Sequence, residues 1–69
     1  MDTIKIKDEH IKLGQAMKLA NTVSDGLEAK IVIQNEEVKV NGEVCTQRGK
    51  KLFPGDEFTY RYRTVKIEV

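Results

Sequence analysis

Polar and apolar residues alternate along Thr3-Ile4-Lys5-Ile6-Lys7, so a strand there turns Ile4 and Ile6 to a core and the lysines to water. The period then lengthens. Asp8 is placed to cap a helix running from about Glu9 to Ala20, with acids where the macrodipole favours them and Asn21 at the end. At about 100° per residue, Leu13, Ala16, Met17 and Ala20 form one apolar wedge, and Lys12, Gln15 and Lys18 fall on the opposite side. Leu19 and Ile11 lie nearer that polar side, which predicts a second packing contact or a partly apolar exposed surface.

The next segment carries conflicting signals. Asp25 followed three positions later by Glu28 has the logic of a capping box, whereas Ile31-Val32-Ile33 is β-branched and favours a strand. The periodicity decides for a helix, because Ala29, Val32 and Ile33 share one side while Lys30 and Gln34 share another. Beyond it Val38 and Val40 alternate with Lys39, Asn41-Gly42 is a strong hairpin signal, and Val44 begins the returning strand. Pro54-Gly55 marks a further turn. Phe58, Tyr60 and Tyr62 then alternate with Thr59, Arg61 and Arg63, which assigns the three aromatic rings to the core face of a strand and leaves Arg61 and Arg63 as outward charges without an assigned role. Val65, Ile67 and Val69 alternate on odd positions, so a bulge or turn is required near Arg63-Thr64. A strand, two helices and then several strands, without repeat or linker, predict a single compact α+β domain over residues 1–69.

Composition narrows the chemistry. At 69 residues one small core is all the chain can build, and the 33% charged fraction predicts a wet surface. The net charge is only +1, so a positive surface would have to come from the arrangement of charges. A single cysteine, Cys45, and a single histidine, His10, supply neither an internal disulfide nor a zinc ligand set, and a reducing compartment suits them. They fall in separate elements with no third orienting group, so no catalytic role is assigned, and no cofactor is expected. The five glycines are too dispersed for a phosphate-cradling loop. No apolar run approaches the roughly 20 residues that span a bilayer, and MDTIKIKDEH lacks a signal-peptide core, so a cytoplasmic location with no membrane partner is expected.

Arg48, Lys50 and Lys51 stand together between two turns with no acid among them. Composition alone reads such a run as a solvated loop that keeps an edge strand soluble. The longer pattern A-K-x-x-I-x-x-x-x-V-x-V-N-G-E-V-x-T-x-R-x-x-K-L-x-x-G-D, from Ala29 to Asp56, changes that reading. It resembles the S4 domain, the RNA-binding module named after small-subunit ribosomal protein four and also called the alpha-L motif. The resemblance extends upstream to Lys12-Leu13 and Met17, and the short flanking strands are similar to those of the small stand-alone bacterial members.

The resemblance implies two packed helices against a small, mainly antiparallel sheet, with structured RNA of the ribosomal or transfer class held by the helices and the start of the hairpin. By position it implies that Lys12, Lys30, Arg48, Lys50 and Lys51 belong to the RNA-binding face; Gln15 and Lys18 join them from the polar side of the first helix. Arginine offers a planar fork for phosphate oxygens and lysine a mobile point charge. Two departures stand out: many members begin the second helix with Ser-Arg where this chain has Asp25-Gly26, and many carry glycine where it has Glu36. The first removes a phosphate contact and adds a repelling carboxylate.

The functional expectation is therefore a non-catalytic RNA-binding module, its partner a structured RNA such as ribosomal RNA or a ribosome precursor, with protein contacts through Leu19 or Ile11 as an addition. No small-molecule substrate is expected. A rival comes from V-N-G-E-V with a later G-D, which also resembles the ubiquitin-like sulfur carriers. Those end in Gly-Gly, whereas this chain ends Lys66-Ile67-Glu68-Val69, so only a protein-interaction adaptor role would survive. Two helices before the hairpin distinguish the first reading, and a hairpin before a single helix the second.

Overall fold

The computed structural model describes residues 2–69. Two short helices precede the Asn41-Gly42 hairpin, α1 at Leu13–Leu19 and α2 at Gly26–Gln34. That order is the one expected of the RNA-binding module. The strands are β1 (Asp2–Lys5), β2 (Ile11–Lys12), β3 (Val38–Val40), β4 (Glu43–Val44), β5 (Lys51–Leu52), β6 (Glu57–Tyr60) and β7 (Arg63–Glu68). A 5-stranded sheet runs in the order β1-β7-β6-β3-β4, and β2 pairs separately with β5. Among the described residues only the β1–β7 pair is parallel, with Ile4 opposite Ile67, and the other ladders are antiparallel.

The core follows the periodicities of the sequence. Leu13, Ala16, Met17 and Ala20 from α1 and Ala29, Val32 and Ile33 from α2 are buried with Val38, Val40, Phe58, Tyr60, Val65 and Ile67 of the sheet in one cluster. Period-two burial in β3, β6 and β7 gives the sheet a single apolar face, against which the helices lie. Ile4 is buried as expected, and Ile6, just past β1, is half-buried while its N–H donates to the Glu68 carbonyl at 2.8 Å.

The start of α1 departs from expectation. Residues 9–12 do not enter the helix and Asp8 does not cap it; Lys12 occupies the cap position without a side-chain hydrogen bond. The reason lies in tertiary pairing. Ile11 and Lys12 form a ladder with Leu52 and Lys51, and two of the free N–H groups of the first helical turn, those of Leu13 and Gly14, find carbonyls in the segment leading into β5. Ile11 is thereby drawn half-way into the core, whereas Leu19 stays 56% exposed.

Both helices end in the same hydrogen-bonding motif. At α1, Asn21 takes φ 59° while Thr22 N–H donates to Met17 and Asn21 N–H to Lys18. At α2, Glu36 takes φ 62° while Glu37 N–H donates to Val32 and Glu36 N–H to Ile33. Asparagine tolerates the left-handed region, but for glutamate it is strained, which is the physical content of the missing glycine. The cap of α2 is as the capping logic predicts, with Asp25 Oδ1 accepting from Glu28 N–H at 2.9 Å, while Glu28 Oε1 accepts from the N–H of Ser24, one residue before the cap, at 2.6 Å. The caps and the buried Ala29-Val32-Ile33 stripe outweigh the strand propensity of Ile31-Val32-Ile33.

A second correction concerns Tyr62. Phe58 and Tyr60 are buried, but Tyr62 is fully exposed. The chain reverses at Arg61-Tyr62, two residues before the expected Arg63-Thr64 break, with Arg61 at φ 57° and Tyr60 directly opposite Arg63. The parity change is satisfied by a two-residue hairpin, which puts Tyr62 at its tip rather than on the core face.

Candidate nucleic-acid interface

The two turns of the V-N-G and P-G-D motifs are tied to each other. Asn41 and Gly42 both take positive φ, 51° and 88°, as the tight hairpin turn requires. Asn41 Nδ2 donates to Asp56 Oδ1 at 3.2 Å, and Asn41 Oδ1 accepts from Glu57 N–H at 2.9 Å. Asp56 Oδ2 in turn accepts from Phe53 N–H at 2.8 Å, closing the Pro54-Gly55 turn in which Gly55 has φ 100°. These motif residues form a latch that fixes the register of β3 and β6. Their side-chain polar groups are occupied within the fold.

The basic segment is organised in the opposite manner. Between β4 and β5 the chain makes a turn over Gln47–Lys50, with the Lys50 N–H donating to the Gln47 carbonyl at 3.2 Å. The carbonyls of Arg48 and Lys50 accept from the N–H groups of Gly14 and Leu13, at 3.1 and 2.8 Å. The backbone of the turn thus serves as the cap of α1, and its side chains are left outside. Arg48 lies along the helix at Gly14, where an added Cβ would sit 2.6 Å from Arg48 Cγ. A side chain at Gly14 would force Arg48 out of this position. A glycine inside a helical pattern was the sequence signal for it.

This docking brings Lys12, Gln15, Lys18 and Arg48 around one open cleft of about 310 Å³, with Gly14, Gly26 and Gly49 completing its wall. Lys51 extends the positive surface, because it is the direct cross-strand partner of Lys12. Like charges set opposite each other weaken a ladder, and both side chains are exposed. Lys50 lines a neighbouring concavity with Glu43, Cys45 and Gln47. Lys30 is exposed on α2, outside the lining of both. Of the expected site residues, the fold therefore gathers Lys12, Gln15, Lys18 and Arg48, adds Lys51 alongside, and leaves Lys50 and Lys30 at separate positions.

None of these cationic side chains has a hydrogen bond or ion pair among the described residues. The salt bridge that is present joins Arg63 to Asp2 at 2.7 Å, and Arg63 also donates to the carbonyls of Ala20 and Asn21 at 2.8 and 3.2 Å. Arg63 is thus a structural clamp on the end of α1, a role its place in the alternating pattern did not reveal. The nearest carboxylate to the cleft along the chain is Asp25, which precedes the lining residue Gly26 and is held by its own capping bond. Among the described residues no group of acids, histidine and cysteine is placed to hold a metal ion, and no helix is long and apolar enough to cross a membrane.

Comparison with known proteins places the fold in a family. Residues 4–68 match the family model of the S4 domain. The chain is 45% identical over 53 residues to the probable ribosome maturation protein RlbA of Bacillus subtilis (strain 168), an alignment covering 77% of this chain and 75% of the relative. It is 31% identical over 61 residues to YbcJ of Escherichia coli (strain K12), covering 88% of this chain and 87% of that protein. The solution structure of E. coli YbcJ, described as revealing an alpha-L motif involved in RNA-binding, superposes with a TM-score of 0.76 at 30% identity, over 100% of this chain and 89% of that one.

Proposed function

The chain belongs to the S4 domain family, and from that premise we propose that it is a non-catalytic RNA-binding protein whose Lys12–Lys18–Arg48 cleft holds the phosphate backbone of structured RNA. The observation that carries this reading is the unpaired state of the cations lining the cleft, in a chain whose net charge is only +1. Eleven acidic residues are available, and the fold keeps them out of the cleft lining. Lys51 beside Lys12 widens the surface along which a backbone can be tracked.

The names of the relatives support the class of partner: one is named for ribosome maturation and the structure of another is described in terms of RNA-binding. Ribosomal RNA in a subunit precursor, met in the cytoplasm, is accordingly the favoured target. The ubiquitin-like adaptor reading is not retained, because two helices precede the hairpin.

The test is cross-linking to RNA in cells followed by recovery of the bound RNA. Wild type is compared with a Lys50→Glu, Lys51→Glu variant and with a Lys18→Glu, Arg48→Glu variant. Ribosomal RNA should be recovered with wild type, weakly with the first variant and not with the second. Equal recovery by all three proteins would remove the basic surface from the function.

A further inference from the structure

The displacement of Tyr62 from the core face leaves an aromatic ring with no function in packing. It is fully exposed at the tip of the β6–β7 hairpin, while Phe58 and Tyr60 on the same strand are buried. The tip is held firmly. Its loop has only the two residues Arg61 and Tyr62, and Arg63 ties the base of the hairpin to β1 through Asp2 and to the end of α1 through the Ala20 and Asn21 carbonyls. Arg61 takes φ 57°, where asparagine or glycine costs less, and its guanidinium lies 5.2 Å from the centroid of the Tyr60 ring.

We propose that this tip is a second RNA contact, in which the Tyr62 ring stacks on an unpaired base and Arg61 holds the adjoining backbone. The proposal rests on the RNA-binding reading given above. Its position supports it. Tyr62, Arg61 and Arg63 line a concavity of about 220 Å³ with Tyr60, Thr22 and Glu28. Glu28 lies two residues from Gly26, which lines the basic cleft, so the two concavities open about 200° apart around the first turn of α2. An RNA that fills the cleft with its backbone reaches the tip by passing around the start of that helix.

The chemistry of the tip favours a base over a protein. A protein hot spot needs a ring surrounded by contacts that exclude water, whereas Tyr62 stands among Thr22, Glu28, Arg61 and Arg63. Stacking needs only a free π-face, and every base supplies its complement. Glu28 disfavours a phosphate at its own position, and its carboxylate is engaged by Ser24 N–H. The nucleotide is therefore expected to present its base to Tyr62 and its phosphate to Arg61.

The experiment uses two synthetic RNAs with the same stem, one closed by an unpaired loop and the other a blunt duplex. Wild type, Tyr62→Ala and Tyr62→Phe are titrated with each. Wild type should prefer the looped RNA; Tyr62→Ala should bind it about tenfold more weakly, bind the duplex unchanged, and be restored by Tyr62→Phe. Tyr62→Ala binding both RNAs like wild type overturns the tip contact and leaves the cleft reading intact. Wild type binding neither RNA overturns both. In cells, Tyr62→p-benzoylphenylalanine should cross-link to RNA on irradiation. Adducts to protein alone would assign the tip to a protein partner and overturn the proposal.

Discussion

The Asn41–Asp56 latch and the Lys12–Arg48 cleft are both built at turns from polar side chains, and they use them differently. In the latch, Asn41 and Asp56 satisfy each other and the adjacent backbone N–H groups, so their chemistry is spent on register. In the cleft, the backbone of the turn does the structural work by capping α1 with the Arg48 and Lys50 carbonyls, and the side chains are released. The most recognisable letters of the motif are thus architectural, and the functional surface comes from residues that the architecture leaves unpartnered. Arg63 and Arg48 repeat the contrast with one residue type: the first is fully engaged by Asp2 and two carbonyls, the second by nothing beyond the stem contact at Gly14.

If the division holds, damage to each region should be separable. The largest effect is expected from Lys18→Glu with Arg48→Glu, which should weaken RNA binding at low salt by about a hundredfold, near 2.7 kcal/mol, while urea unfolding stays within about 0.5 kcal/mol of wild type. A parallel loss of stability would mean that the cleft is structural after all. Asp56→Ala should do the reverse. It removes acceptors for Phe53 N–H and Asn41 Nδ2 and should cost about 2 kcal/mol by denaturant titration, with the RNA affinity of the folded fraction retained.

Smaller changes sharpen the comparison at the helix ends. Glu36→Gly should relieve the left-handed strain at the end of α2 and stabilise the chain by about 1 kcal/mol, a rise of roughly 4–8 °C in the calorimetric midpoint. RNA affinity should not move. Asp25→Ser keeps an oxygen to cap α2 but removes the carboxylate beside the cleft, so affinity should rise by about threefold at unchanged stability, in line with the modest worth of an exposed charge.

Much of the fold was legible in the chain because burial obeys periodicity. The α1 wedge, the Ala29-Val32-Ile33 stripe and the Asn41-Gly42 turn are local signals with local causes. What failed depended on partners distant in sequence. The late start of α1 is set by the ladder to Lys51 and Leu52, which no reading of residues 8–12 could supply. Tyr62 continues the alternation of Phe58 and Tyr60 in sequence, yet the hairpin reverses before its turn to be buried comes. The cleft was half legible: the cation run and the polar side of α1 were visible, but their meeting over Gly14 depends on a backbone contact between residues far apart in the chain.

The most direct measurement of the central claim is the salt dependence of RNA binding for wild type and for a Lys12→Gln, Lys18→Gln, Arg48→Gln variant. Counterion release gives each engaged phosphate a slope of about −0.7 to −0.9 in log affinity against log salt. Cations acting together on one backbone predict that the triple substitution makes the slope shallower by about two to three. An unchanged slope would show that RNA does not lie in this cleft.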